Sequence, residues 1–325
     1  MKKIHVVAIL FLLFTAGIKA QQLPLYSQYM FNKFLINPAV AGSDGYSSFN
    51  LTAREQWIGI DKSPRTHSLS YQTRILKRSY IIRSKSVKRK TFSPGTEGRV
   101  GIGAYVFDDR NGLISRTGFQ FTYAYHIWLD ETQLSFGLSG TAFQFRINAE
   151  ELTFYDKSEP LLSDDLRKTI FVPDANFGVY LLNSRYHLGF SVAQLFQSYL
   201  KIGNAGLGDY RILRHYYLSG GYIFPLQKDY FLEPSILIKT TEDLLYQIDF
   251  NAKVQYKEDY WVGLSYRTGG AVVLLAGVRL DKFYFGYAFD YTLSSIMKHS
   301  LGSHEFMVAV KFGDNARRYR WIDRY

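Results

Sequence analysis

Between residues 47 and 312 the chain breaks repeatedly into segments of about ten residues in which apolar and polar side chains alternate. A period of two is the mark of a β-strand with one apolar face. The clearest case is 245–256. Tyr246, Ile248, Phe250, Ala252, Val254 and Tyr256 share one face there, and Gln247, Asp249, Asn251, Lys253 and Gln255 share the other. One such strand fits a soluble sandwich as well as a barrel, so the number of strands has to decide. We read fourteen, at 47–57, 66–75, 99–108, 117–128, 133–147, 174–182, 186–195, 213–224, 230–240, 245–256, 260–267, 271–280, 283–293 and 303–312. In an open sheet every edge would need covering, and closure removes the edges. Within 133–147 the apolar residues move from Leu134, Phe136 and Leu138 to Phe143, Phe145 and Ile147. A β-bulge or an exit of the strand from the bilayer would explain that change.

Composition points the same way. Aromatic residues make up 17% of the chain, with 26 Tyr and 25 Phe, and charged residues are held to 21%. Aromatic girdles at two bilayer interfaces use tyrosine on this scale. Residues 1–20 carry Lys2 and Lys3, an apolar run from Val6 to Phe14, and a small-residue end at Ala20, which is the pattern of a cleavable signal peptide. No later apolar run approaches the ~20 residues of a membrane helix. Without cysteine the chain carries no lipid on an N-terminal Cys, no disulfide and no thiol chemistry. The fold expected is therefore all-β, a transmembrane antiparallel barrel of about 14 strands spanning 47–312, set in outer-membrane lipid.

The connections alternate in length. Those at 129–132, 183–185, 225–229, 257–259 and 281–282 are short, while 148–173 and 196–212 are long. Short turns belong to the periplasmic side and long loops to the outside. That parity, with an even strand count, puts both termini in the periplasm, including a tail at 313–325. The exception is 76–98, a long connection on the short-turn side.

No catalytic constellation stands out. The seven histidines are scattered without metal-ligand spacing, and no serine sits in a GxSxG elbow. His67, His126 and His187 read as wall residues. Gly203, Gly206 and Gly208 read as turn residues, and Glu150-Glu151 and Asp164-Asp165 as a solvated loop in preference to a Ca²⁺ site. We expect no enzyme activity, cofactor or metal. An outer-membrane enzyme would need a carboxylate, a serine and a histidine to converge at one rim.

Charge is concentrated rather than spread. Without Lys2, Lys3 and Lys19, 36 basic residues face 28 acidic ones, a net +8. The stretch 76–99 holds Lys77, Arg78, Arg83, Lys85, Lys88, Arg89, Lys90 and Arg99 against Glu97, a net +7. A nucleic-acid role fits the charge but not an exported barrel. Two readings remain, a solvated loop and a docking surface for an acidic partner through Lys77, Arg78, Lys85, Lys88, Arg89 and Lys90.

Ahead of the first strand runs Gln21-Gln22-Leu23-Pro24-Leu25-Tyr26-Ser27-Gln28-Tyr29-Met30-Phe31-Asn32, and then Leu35-Ile36-Asn37-Pro38-Ala39-Val40-Ala41-Gly42. This opening resembles that of the PorP/SprF family of Bacteroidetes outer-membrane proteins. Arg54-Glu55-Gln56-Trp57-Ile58-Gly59-Ile60-Asp61 with Pro64-Arg65-Thr66-His67-Ser68-Leu69-Ser70 resembles the family's first hairpin, and Gly302-Ser303-His304-Glu305 its C-terminal signature. The basic insert at 76–98 departs from the family's tighter connection. The resemblance implies a component of type IX secretion and gliding that helps a secreted surface protein, often a large adhesin, through or onto the outer membrane. It also implies contact with machinery proteins, a periplasmic protein or lipoprotein among them. A passive pore or a hydrophobic-solute carrier is the alternative for a barrel of this size.

Residues 26–35 are too irregular for a lipid-facing strand, yet their aromatics need burial. We expect 21–46 to fold into the barrel mouth or lumen, as a plug or as a cap that only seals it. Asn37-Pro38 would end any helix there, and Gly42 permits the turn into the first strand. Tyr26, Tyr29, Met30, Phe31, Asn32, Asn37 and Pro38 are the partner-binding candidates of this segment.

Overall fold

The computed structural model describes residues 26–75, 99–148, 169–197, 199–200, 210–243 and 245–312. Fourteen antiparallel strands form the wall: β1 (Ser47–Glu55), β2 (Arg65–Ile75), β3 (Val100–Asn111), β4 (Ile114–Leu129), β5 (Thr132–Ile147), β6 (Ile170–Leu182), β7 (Tyr186–Ala193), β8 (His215–Tyr222), β9 (Tyr230–Thr241), β10 (Tyr246–Tyr256), β11 (Tyr260–Arg267), β12 (Ala271–Leu280), β13 (Phe283–Thr292) and β14 (Ser303–Phe312). Each pairs with its neighbours in sequence, and β1 closes on β14 from Ser47↔Phe312 to Glu55↔His304. A short continuation of β8, Phe224–Gln227, pairs with β9 through a register shift. A two-residue ladder, Tyr199–Leu200 with Tyr210–Arg211, lies in the β7–β8 connection. Among the described residues no helix is long and apolar enough to cross a membrane. The crossing is made by strands, whose backbone groups pair around the closed ring.

Which face of each strand points out follows from burial. On β10 Tyr246 and Phe250 are exposed while Asp249, Asn251 and Lys253 are buried. On β4 Phe119, Phe121, Tyr123 and Tyr125 are exposed and Gln120, Thr122, Ala124 and His126 are buried. The barrel is apolar outside and polar inside, as a lipid environment requires. At the short-turn end Tyr230, Tyr256 and Tyr260 face one another across β9, β10 and β11, with ring centroids 4.7 and 6.4 Å apart. They form part of an aromatic girdle.

Three expectations change. The β3–β4 hairpin is longer than the alternation predicts and turns on Gly112-Leu113, with Gly112 at φ +61°. The sequence pattern fails there because Asp108, Arg110 and Thr117 face outward. Strands that extend beyond the lipid have no need of an apolar outer face. The reversal within β5 has the same cause: its pairing with β4 runs unbroken from Ile114↔Ile147 to Leu129↔Thr132, so no bulge is present. Gln144 and Arg146 are exposed, while Phe143 and Phe145 turn inward onto Val172 and Ile212. Finally, β6 begins at Ile170 and includes Pro173. From Ile170 to Asn176 it pairs only with β5, so the absent proline N–H costs no ladder bond.

The inner segment and β1 meet the barrel at opposite ends. Ser47 and Phe312 both lie at the short-turn end. Ser27, however, lies at the loop end, bonded to side chains close to the loop-end termini of β1, β11, β13 and β14. The segment therefore enters the barrel at the loop end and leaves it into β1 at the other. The stretches 1–25, 76–98, 149–168 and 313–325, which hold the signal-peptide and tail readings, the basic insert and the acidic pairs, lie outside the described residues.

Candidate functional site

Residues 26–43 run through the interior and touch inward-facing side chains around the ring. Two 3-10 turns, Lys33–Leu35 and Pro38–Val40, punctuate an otherwise irregular path. Asn37 separates them in extended backbone (φ −141°, ψ 113°), as the residue before proline should be. Its side-chain oxygen accepts from the Ala39 N–H at 2.9 Å, and Pro38 needs no donor at the start of the turn.

The first anchor is ionic. Arg54 on β1 donates to Asp290 on β13 at 2.7 Å and to Glu305 on β14 at 3.2 Å. Arg267 on β11 reaches Asp290 at 3.1 Å and Asp249 on β10 at 3.3 Å, and Lys239 on β9 lies 3.8 Å from Asp249. Three cations and three carboxylates from six strands thus balance. Into this network the chain inserts Ser27 and Gln28. Glu305 accepts both of their backbone N–H groups, at 2.7 and 2.8 Å, and the Gln28 amide donates to the Glu305 carbonyl at 3.1 Å. The Ser27 hydroxyl donates to Asp290 and accepts from Arg54 at 2.7 Å. Arg54 is 2% exposed and Glu305 is fully buried. Charges so placed survive because each cation meets a carboxylate and each carboxylate a cation.

The second anchor is aromatic. The hydroxyls of Tyr26 and Tyr105 (β3) lie 2.7 Å apart. The Tyr29 hydroxyl accepts from the Asn251 amide, and Tyr29 packs with Met30 in a cluster holding Leu237, Val273 and Leu275. Phe31 stands 4.8 Å from Trp261 (β11), with the Lys253 ammonium 4.9 Å from the Phe31 ring centroid. Lys253 bonds Glu233 at 2.6 Å and Lys33 lies 3.9 Å from it. Asn32 donates to Ser70 on β2 at 2.9 Å.

The third anchor is close approach. Asn37 donates to the carbonyls of Val179 on β6 and Phe190 on β7 at 3.0 and 3.3 Å, and Ser191 donates to the Ile36 carbonyl at 2.6 Å. His126 on β4 meets the Ala41 carbonyl at 3.0 Å, so that nitrogen carries the proton and Nδ1 faces Ser135. Glycine makes this possible. A Cβ at Gly101, Gly137 or Gly178 would overlap Ala41, Pro38-Ala39 or Asn37 respectively. We expect Gly137→Val to leave the barrel inserted while dislodging 36–42, seen as new protease cleavage within that stretch. Unchanged protection would mean the packing is looser than these contacts imply.

Of the sequence candidates, Tyr26, Tyr29, Met30, Asn32, Asn37 and Pro38 are buried, and Phe31 is half-buried. The barrel itself supplies their partners, so this state offers no free partner surface from them. Lys77, Arg78, Lys85, Lys88, Arg89 and Lys90 lie outside the described residues. The residues the sequence reading did not single out are Arg54, Glu233, Arg267, Asp290 and Glu305. Arg54 and Glu305 stand inside the two motifs quoted beside the N-terminal one, and all three motifs meet at Ser27-Gln28. Their signal was an ionisable residue on the polar face of a strand whose other face is apolar. No group of three or more histidine or acidic side chains fit to hold a metal occurs among the described residues.

Strand pairing, closure and the outward apolar face define an outer-membrane type of β-barrel with a folded stretch of its own chain inside. Residues 18–310 match the family described as type IX secretion system membrane protein PorP/SprF, and the chain belongs to that family. No curated protein matches it. Among solved structures it is similar to the Ralstonia pickettii toluene transporter TbuX (TM-score 0.48, 9% identity, covering 86% of this chain and 92% of that one). It is also similar to the Pseudomonas putida toluene transporter TodX (0.44, 9%, 86% and 91%) and to the KdgM porin (0.36, 11%, 82% and 98%).

Proposed function

We propose that the protein is a non-enzymatic outer-membrane component of the type IX secretion and gliding machinery, which helps a secreted partner such as a large adhesin across or onto the cell surface. The observation that carries this reading is the family match over 18–310 together with an interior occupied by 26–43. A passive pore needs an aqueous path, and the three anchors set residues 26–43 against the inward-facing side chains that such a path would use. The loop ends face outward and the short-turn end with the C-terminus faces the periplasm, following the usual asymmetry of connections. On that periplasmic side the basic stretch 76–98 supplies charge for a machinery protein or lipoprotein. Because Tyr26, Tyr29 and Asn37 are engaged internally, partner contact through them requires the segment to move.

One observation favours the carrier alternative. A cavity of about 100 Å³ opens between the segment and β3–β8, lined by Phe34, Leu35, Tyr105, Phe107 and Phe143. It is floored by Asn37-Pro38, which pack on Gly137 and Gly178. One experiment separates the readings. Deleting 26–37 should leave a heat-modifiable, inserted barrel that conducts ions in a planar bilayer but no longer supports secretion. Normal secretion by the deleted protein would reduce the segment to a seal, and conductance in the intact protein would favour the pore.

A further inference from the structure

Across β1–β5 the outward face changes character within two rows of residues. Leu51, Leu69, Val106 and Phe119 are successive cross-strand partners in the last apolar row. One step toward the loop end the row reads Ala53, His67, Asp108, Thr117 and Gln144. The next reads Glu55, Arg65, Arg110, Ser115 and Arg146. Three guanidinium groups therefore stand in one line directly above the lipid belt. Around them the wall and loops enclose an outward-opening hollow of about 780 Å³, lined also by Asp61, Lys62, Ser63, Asn148 and Thr169.

The carboxylates of the hollow offset this line only in part, since Glu55, Asp61 and Asp108 stand against Arg65, Arg110, Arg146 and Lys62. Asp108 is taken by Arg110 at 3.1 Å and by the Thr117 hydroxyl at 2.6 Å, and Glu55 lies 3.2 Å from His67. Arg65 and Arg146 have no ion-pair or hydrogen-bond partner among the described residues. Arg65 and Arg110 are moreover direct cross-strand partners, and like charges so placed destabilise a sheet. A bound anion turns that repulsion into attraction. Planar guanidinium forks suit phosphate oxygens, and the polar walls of Ser63, Ser115, Thr117, Gln144 and Asn148 suit sugar hydroxyls.

We propose that Arg65, Arg110 and Arg146 form a binding site for the phosphorylated sugar headgroup of a glycolipid in the leaflet that meets the loop end. The acyl chains would lie down the apolar row beneath, which a soluble phosphate could not use. The test is native mass spectrometry of the full chain in detergent micelles, with bisphosphorylated lipid A as the probe and the same lipid stripped of phosphate as the comparison. The intact protein should retain lipid A and R65Q/R110Q/R146Q should retain it about tenfold less, a change of ~1.4 kcal/mol. The phosphate-free lipid should bind both weakly and alike, and K257Q/K282Q at the opposite end should behave as the unaltered protein. Heat-modifiable mobility checks the fold. If the triple variant does not fold, R65Q alone, which removes the like-charge contact, must still lower retention. Equal retention by altered and unaltered protein, or displacement of the lipid by millimolar inorganic phosphate, would overturn the proposal.

Discussion

Replacing Glu305 by Gln is expected to destabilise the folded barrel by about 3–5 kcal/mol, the scale of breaking a buried ion pair on one side only. The carboxylate accepts from Arg54 and from two backbone N–H groups of the inner segment. The amide that replaces it turns an NH2 group toward one of those donors. Arg54 keeps Asp290, but Asp290 also serves Arg267, so one positive charge stays uncompensated in a site without water-exposed surface. Urea unfolding in lipid vesicles should register the loss, and residues 26–28 should become open to protease. The double variant Arg54→Met with Glu305→Met should recover most of the stability, since removing both partners of a buried pair is far less costly than removing one. It should not restore protection of the segment. If Glu305→Gln unfolds at the same urea concentration as the unaltered protein, the network does not hold the barrel together.

A lysine in place of Phe250 is expected to cost about 2–4 kcal/mol, the scale for a cation on the lipid face at the bilayer midplane. Phe250 sits halfway along β10 and points outward, 49% exposed in the isolated chain. The neighbouring Asn251→Lys disturbs something else. From the sequence alone Asn251 reads as a lumen residue that tolerates lysine, but it is buried and bonded to Tyr29. That substitution should leave membrane insertion intact while freeing the segment around Tyr29. Insertion yield and protease sensitivity therefore separate the two variants, and equal yields for both would contradict the assignment of faces.

The strand pattern was legible because lipid imposes a binary rule on one face of every strand. All fourteen expected strands appear in the wall. Their ends were less legible. Where Asp108, Arg110, Gln144 and Arg146 face outward beyond the lipid, no apolar constraint remains for a sequence reading to detect. The interior was the least legible part. Alternation marks Asp249, Arg267 and Asp290 as polar-side residues without saying that they meet, because their meeting depends on the curvature and register of a closed ring. Ser27 and Glu305 are separated by 278 positions, and no local pattern encodes such a contact. The glycines that admit the segment were invisible for a related reason. Gly101 and Gly137 look like ordinary strand interruptions until Ala41 and Ala39 are seen against them.

The clamp on Ser27 and Gln28 draws on β1 and on β13 and β14, the opening and the closing strands of the wall. Glu305 stands on β14, the strand that closes the ring against β1, so Ser27 and Gln28 find this ligand only when the seam between β1 and β14 zips. A chain cut short before Ser303 loses the seam and the ligand together. A half-built barrel therefore leaves the Ser27 and Gln28 N–H groups without their carboxylate acceptor.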